Sequence, residues 1–149
     1  MGWITVTWLI RYGHVLGGGL WVGGYALLAL VIIPLLEKAP QEKLIQVAHH
    51  AIRLLTYTGT ATIVFGLLLI FRTRGLAAIT RGGEWGMIVL SCAVIAVALL
   101  GIGDSALRPA LRHLAATGDG RRARRYAWLG FGLTILAIGF MTRALYAGS

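Results

Sequence analysis

Apolar residues run along this chain in four long blocks, separated by three shorter stretches where charges, glycine and proline collect. The blocks, at about 3–33, 47–71, 86–105 and 125–147, are each long enough to cross a hydrocarbon core, which takes about 20 helical residues at ~1.5 Å apiece. The pattern predicts an all-α fold, an integral membrane antiparallel four-helix bundle in a single domain over residues 1–149. Nothing is left over for a second domain. In "PLLEKAP" Pro34 and Pro40 bracket a break that ends the first helix, and the short connection forces a hairpin. The second connection, "FRTRGLAAITRGGEW" (71–85), is broken by Gly75, Gly82 and Gly83, with Leu76 to Ile79 expected to lie in the membrane interface. The third, "RPALRHLAATGDGRRARR" (108–125), centres on a Thr-Gly-Asp-Gly turn. Asp104 and Arg108 stand four apart, a spacing that permits an ion pair on a helix continuing past the bilayer.

Composition agrees: 58% of residues are hydrophobic, 13% are charged, and the mean hydropathy is +0.79, outside the range of soluble globular domains. The first block lacks a basic leader and is expected to be a retained span rather than a signal peptide. Charge then predicts orientation. Nine of the 14 basic residues fall on the side of the first and third connections, and five fall on the side of the termini and the second connection. The excess assigns the first side to the cytoplasm of a bacterial-type plasma membrane, with both termini outside. A net charge of +9 in a soluble protein would suggest nucleic acid. Here the basic clusters flank membrane spans, so anionic lipid headgroups are the expected partners and nucleic acid is not. Trp3, Trp8, Trp85, Tyr126, Trp128 and Tyr146 lie near span ends, as an interfacial aromatic belt requires. The single cysteine, Cys92, sits in the third span and can form no intrachain disulfide.

Candidate chemistry starts in the first block, where "YGHVLGGGLWVGG" (12–24) places one histidine among six glycines. Arg11, His14, Gly18, Trp21 and Tyr25 recur at steps of three and four and share one helix face. Arg11 is an intramembrane cation, which is rare enough to point to function. The pairs Gly13-xxx-Gly17 and Gly19-xxx-Gly23 fit close helix packing, within the bundle or against a partner subunit or a second copy. A glycine beside a histidine also leaves room for a flat porphyrin whose iron a neutral imidazole would hold. The two readings are compatible. In that case Gly18 is the gap beside His14, and Arg11 with Arg143 are cations placed for two propionates.

Depth separates the other histidines. His49 and His50 open the second block and His113 follows the third, roughly 20 Å or more from His14 by helical rise. With Arg53 and Arg112 they make a possible second cofactor site, or else a solvated basic rim on lipid phosphates. Met87, Cys92 and Met141 approach the level of His14 and would complete a soft donor set suited to copper(I) or to an axial haem pair; as core residues they need no such role. The chain has no Ser-His-Asp arrangement, phosphate loop, HExxH or intramembrane carboxylate pair, so hydrolytic chemistry is not expected.

His14 followed by Trp21-Val-Gly-Gly24, then "IRLLTYTGTATIVFGLLL" (52–69) with Arg53, Gly59 and Gly66, and then "GLAAITRGGEWGMIVL" (75–90), resembles the copper resistance D (CopD) type of membrane domain. The length and four-helix plan are also similar to HemJ-type haem-binding membrane proteins, which carry a histidine in the first helix. The first resemblance implies copper handling and the second a b-type haem. Three functions follow as expectations: haem-based electron transfer, alone or within a membrane redox complex; copper transport or handling; and a cofactor-free structural subunit.

Overall fold

Four long helices, α1 (Gly2–Lys38), α2 (Glu42–Thr73), α4 (Glu84–Thr117) and α5 (Arg121–Ala144), are each long and apolar enough to cross a membrane. A single-turn helix, α3 (Ala77–Thr80), lies in the connection between α2 and α4. The structure is a computed structural model that describes residues 2–39, 41–81 and 83–147, so the expected breaks at Pro40 and Gly82 lie outside the described residues. The long helices pack antiparallel around the sequence α1–α2–α4–α5, with α5 closing back onto α1.

Two helices are longer than the sequence pattern implies, for one shared reason. Pro34 does not end α1, which runs on to Lys38, and Pro109 does not open a loop, because α4 runs on to Thr117. Each proline follows a stretch of wide π-helical turn, Leu28–Ile32 in α1 and Ile102–Leu107 in α4. A proline in a helix has no N–H to donate and crowds the carbonyl four residues earlier. A widened turn at that place relieves the crowding, so the helix adjusts instead of stopping. The extension of α4 earns its place by burying Ala110, Leu111 and Leu114 while Arg112 and His113 stay exposed. The third connection thereby shrinks to Gly118–Gly120, where Gly118 adopts φ 76°, a left-handed conformation that favours glycine, and caps α4 through its N–H to the Leu114 carbonyl at 2.8 Å.

Packing is uneven along the bundle axis. The main core joins Trp21, Tyr25, Leu28, Ile32 and Leu36 of α1 to Ile52 and Leu55 of α2, Leu99, Leu107 and Leu111 of α4, and Ala123 and Ala127 of α5. That core lies toward the side of the first and third connections, called here the loop side. Toward the termini a second, smaller cluster holds Ile88, Cys92 and Ala147 with Trp85, Phe140 and Ala144. Large apolar side chains such as Tyr57, Val94, Val97 and Leu136 face outward, as they must where the surroundings are lipid. At the loop side Arg124 reaches Glu37 at 3.1 Å and ties the start of α5 to the end of α1.

Candidate functional site

The glycines of α1 and α2 form a reciprocal seam. On α1 the backbone at Gly13 is met by Phe65, at Gly17 by Thr62 and at Gly24 by Leu55; an added Cβ would stand 2.8, 2.6 and 2.6 Å from those side chains. On α2 the roles reverse, with Trp21 filling the space at Gly59 (2.6 Å) and the ring of His14 filling that at Gly66 (2.9 Å). The partners step down α2 as they step up α1, the register of two antiparallel helices with small residues at their contact. Helix association in lipid gains little from hydrophobic transfer, so this close van der Waals fit is what holds the hairpin together. Most of the residues that carry the CopD resemblance, His14, Trp21, Gly24, Gly59 and Gly66, are therefore the residues of this one interface.

Within the seam His14 is half-buried, and its Nδ1 lies 2.8 Å from the carbonyl oxygen of Thr62. A carbonyl only accepts, so Nδ1 carries a proton and donates, and Nε2 is the nitrogen left to meet a ligand. That second nitrogen has no hydrogen-bond partner among the described residues. A carbonyl clamp on one ring nitrogen, with the other left as a donor, is the usual preparation of a metal-binding imidazole. One turn further along α1 the surface is open at Gly18, where an added Cβ would meet only the Thr62 methyl at 3.9 Å.

Arg11, one turn from His14 toward the termini, lines a cavity of about 340 Å³ with Trp3, Ile4, Thr7, Trp8 and Arg72. The Arg72 guanidinium stacks 4.4 Å above the Trp3 ring, which holds it in place. The cation that accompanies Arg11 is thus Arg72 rather than Arg143, which pairs with Glu84 at 2.7 Å.

The remaining candidates are dispersed. Cys92 is buried among Ile88, Trp85, Phe140, Ala144 and Ala147, and Met87 and Met141 are exposed. Among the described residues no group of three or more His, Cys, Asp or Glu side chains is placed to hold a metal ion. His49 and His50 turn their Nδ1 atoms back to the Ile45 and Gln46 carbonyls of their own helix, at 2.9 and 2.8 Å. His113 is exposed and lines a separate basic cavity at the loop side.

A polar constellation at mid-bundle was only half legible in the sequence. Asp104, in the wide turn of α4, accepts from Arg108 at 2.6 Å, the expected pair, and also from the Thr56 hydroxyl at 3.2 Å. Deeper in, the Tyr25 hydroxyl donates to the Leu99 carbonyl at 2.7 Å. Each lies in or just before a wide turn that a proline follows, Pro34 in α1 and Pro109 in α4, and that proline was the one local signal in the sequence.

For a haem the donor chemistry fits once: His14 has one imidazole nitrogen without a hydrogen-bond partner among the described residues, while no second histidine is carried to its level. Comparison of the chain with protein-family models, with curated proteins and with solved structures finds no match.

Proposed function

We propose that this chain is a b-type haem-binding membrane protein that serves electron transfer, alone or as a subunit of a membrane redox complex. The observation that carries the reading is the hydrogen bond from His14 Nδ1 to the Thr62 carbonyl, which fixes the ring and leaves Nε2 to serve as a ligand inside an apolar bundle. His14 would supply the axial nitrogen, Gly66 seats its ring, and Gly18 leaves the surface open one turn on. Arg11 and Arg72, toward the termini on the same hairpin, would take the propionates as charge-assisted partners. When bound, a haem supplies the one-electron redox change; the protein supplies the ligand, the counter-charges and a dry surrounding that set its potential. The resemblance of the four-helix plan to the HemJ type supports the same reading, whereas the CopD-type pattern of the first two spans favours the alternative, copper handling. By the excess of basic residues on the loop side, the termini belong outside and the loop side belongs in the cytoplasm.

A reduced-minus-oxidised optical spectrum of the detergent-purified chain, with elemental analysis of the same sample, tests this. A Soret and an α-band with iron support it. Copper without porphyrin moves the assignment to copper handling, and a colourless, metal-free chain after reconstitution with haemin leaves a structural subunit.

A further inference from the structure

The start of α5 carries four arginines, Arg121, Arg122, Arg124 and Arg125, and the structure uses them differently. Arg124 is spent on Glu37 at 3.1 Å. Arg121 is held by Asp119 of the Gly118–Gly120 turn, Nη2 to Oδ2 at 3.0 Å and Nε to Oδ1 at 3.1 Å, while its backbone N–H also donates to Oδ1 at 3.0 Å. Arg122 and Arg125 stand three apart on one helix face, both exposed, with no acidic partner among the described residues. These two, with Arg121, Asp119 and His113 of α4, line a cavity of about 330 Å³. Three guanidinium groups face one carboxylate there, and that carboxylate is already committed to Arg121, so an excess of positive charge is left on Arg122 and Arg125. Tyr126 and Trp128 follow at once along α5, the aromatic pair expected at a membrane–water boundary. The cavity therefore lies at the level of lipid headgroups.

We propose that this cavity is a phosphate-binding site, in which Arg122 and Arg125 grip the oxygens of an anionic phosphate group and the Asp119–Arg121 pair forms its fixed wall. Guanidinium forks match phosphate in geometry, and two forks converging on one open cavity can hold a phosphate from two sides. The site stands at the opposite end of the bundle from His14 and does not depend on a haem. Two sources carry the same chemistry, the headgroup of an anionic lipid and free phosphate in the adjoining water.

The test uses the full chain in phosphatidylcholine nanodiscs, with and without added phosphatidic acid, measured by native mass spectrometry, and inorganic phosphate titrated into the neutral discs by calorimetry. Binding of phosphatidic acid but not inorganic phosphate supports the site with a lipid source, and binding of both supports it with free phosphate admitted as well. Arg122→Gln with Arg125→Gln should weaken the binding observed by at least about tenfold, the loss expected for removing two charge-assisted contacts. Arg112→Gln, which removes one charge at an exposed position outside the cavity, should alter it less than about twofold and less than Arg122→Gln alone. The pair Arg122→Lys with Arg125→Lys, which keeps the charge and loses the fork, should fall between. An equal loss for Arg112→Gln, or no binding of either probe by the wild-type chain, overturns the proposal.

Discussion

The hydroxyl of Tyr25 donates to the carbonyl of Leu99 at 2.7 Å, joining α1 to α4 across the diagonal of the bundle. Tyr25 is fully buried, and its ring lies so close to α5 that any side chain at Gly130 would overlap it. Both partners stand just before a wide turn, so the bond fixes the depth at which the two helices change their pitch together. One residue thus sets the relation of α1 to both helices of the second hairpin.

Tyr25→Phe keeps the ring and removes the bond. The Leu99 carbonyl is also approached by the N–H of Ile102, so it is not orphaned, and the cost should be near the modest average for interhelical bonds in lipid, about 0.6–1 kcal/mol. Gly130→Ala should cost more, about 1–3 kcal/mol, because it overpacks the ring. Thermal unfolding in detergent should rank wild type above Tyr25→Phe and Tyr25→Phe above Gly130→Ala.

The seam of α1 and α2 predicts a sharp contrast among glycines of the same helix. Gly17→Ala and Gly24→Ala would place a methyl 2.6 Å from Thr62 and Leu55, whereas Gly19→Ala and Gly23→Ala would meet nothing within 4 Å. The first pair should lower the unfolding temperature through about 1–3 kcal/mol of overpacking. The second pair should leave it unchanged or raise it slightly, since alanine is the better helix former. Equal effects in both pairs would mean that this seam does not hold the hairpin.

Helix number, helix order and the close packing of the glycine-rich segment of α1 were legible in the sequence, because apolar length and small-residue spacing are local signals. What they could not give was partnership. The sequence points to Gly18 as the gap that matters, but the crowded glycines of α1 are Gly13, Gly17 and Gly24, and the ring of His14 is seated by Gly66, 52 positions later. Arg11 likewise reads as a partner of Arg143, until Glu84 takes Arg143 and the antiparallel register brings Arg72 to Arg11. Pro34 misleads for a different reason: a proline forbids a regular turn, and the chain answered with a wider one, as it did before Pro109.

Asp119 gives a prediction in pH. Hydrogen bonds from the Arg121 side chain and backbone hold its carboxyl down at about 2, well below the ordinary aspartate range. Because the folded-state value is depressed, whatever the pair contributes is present above the ordinary aspartate range and is lost as pH falls through about 2. Asp119 is part-exposed and its partner Arg121 is open to solvent, so screening keeps that contribution small. Carboxyl carbon NMR on aspartate-labelled protein should show this residue titrating well below aspartate in short reference peptides, and Arg121→Gln should return it toward the ordinary value. A normal titration in the wild-type chain would show that the turn is open in solution.

The last prediction separates a ligand from a well-packed core histidine. With haem bound, His14→Ala should abolish the Soret band or convert it to that of weakly held, high-spin haem, because the imidazole nitrogen left to meet a ligand is gone. His50→Ala should leave the spectrum intact, since that ring is exposed, bonded to the Gln46 carbonyl, and roughly 20 Å away by helical rise. Gly66→Ala is the more searching variant. Its methyl would stand 2.9 Å from His14 Cε1, so the ring must shift while remaining on the chain, and the Nδ1 bond to Thr62 must lengthen or turn. A ligating His14 would then keep its haem with a changed reduction potential, because the clamp on Nδ1 tunes the basicity of Nε2. A merely structural His14 would give the same spectrum and potential in wild type, His14→Ala and Gly66→Ala, with differences confined to the unfolding temperature. Spectra and potentiometric titrations of the four proteins, each read beside its thermal melt, decide between the two.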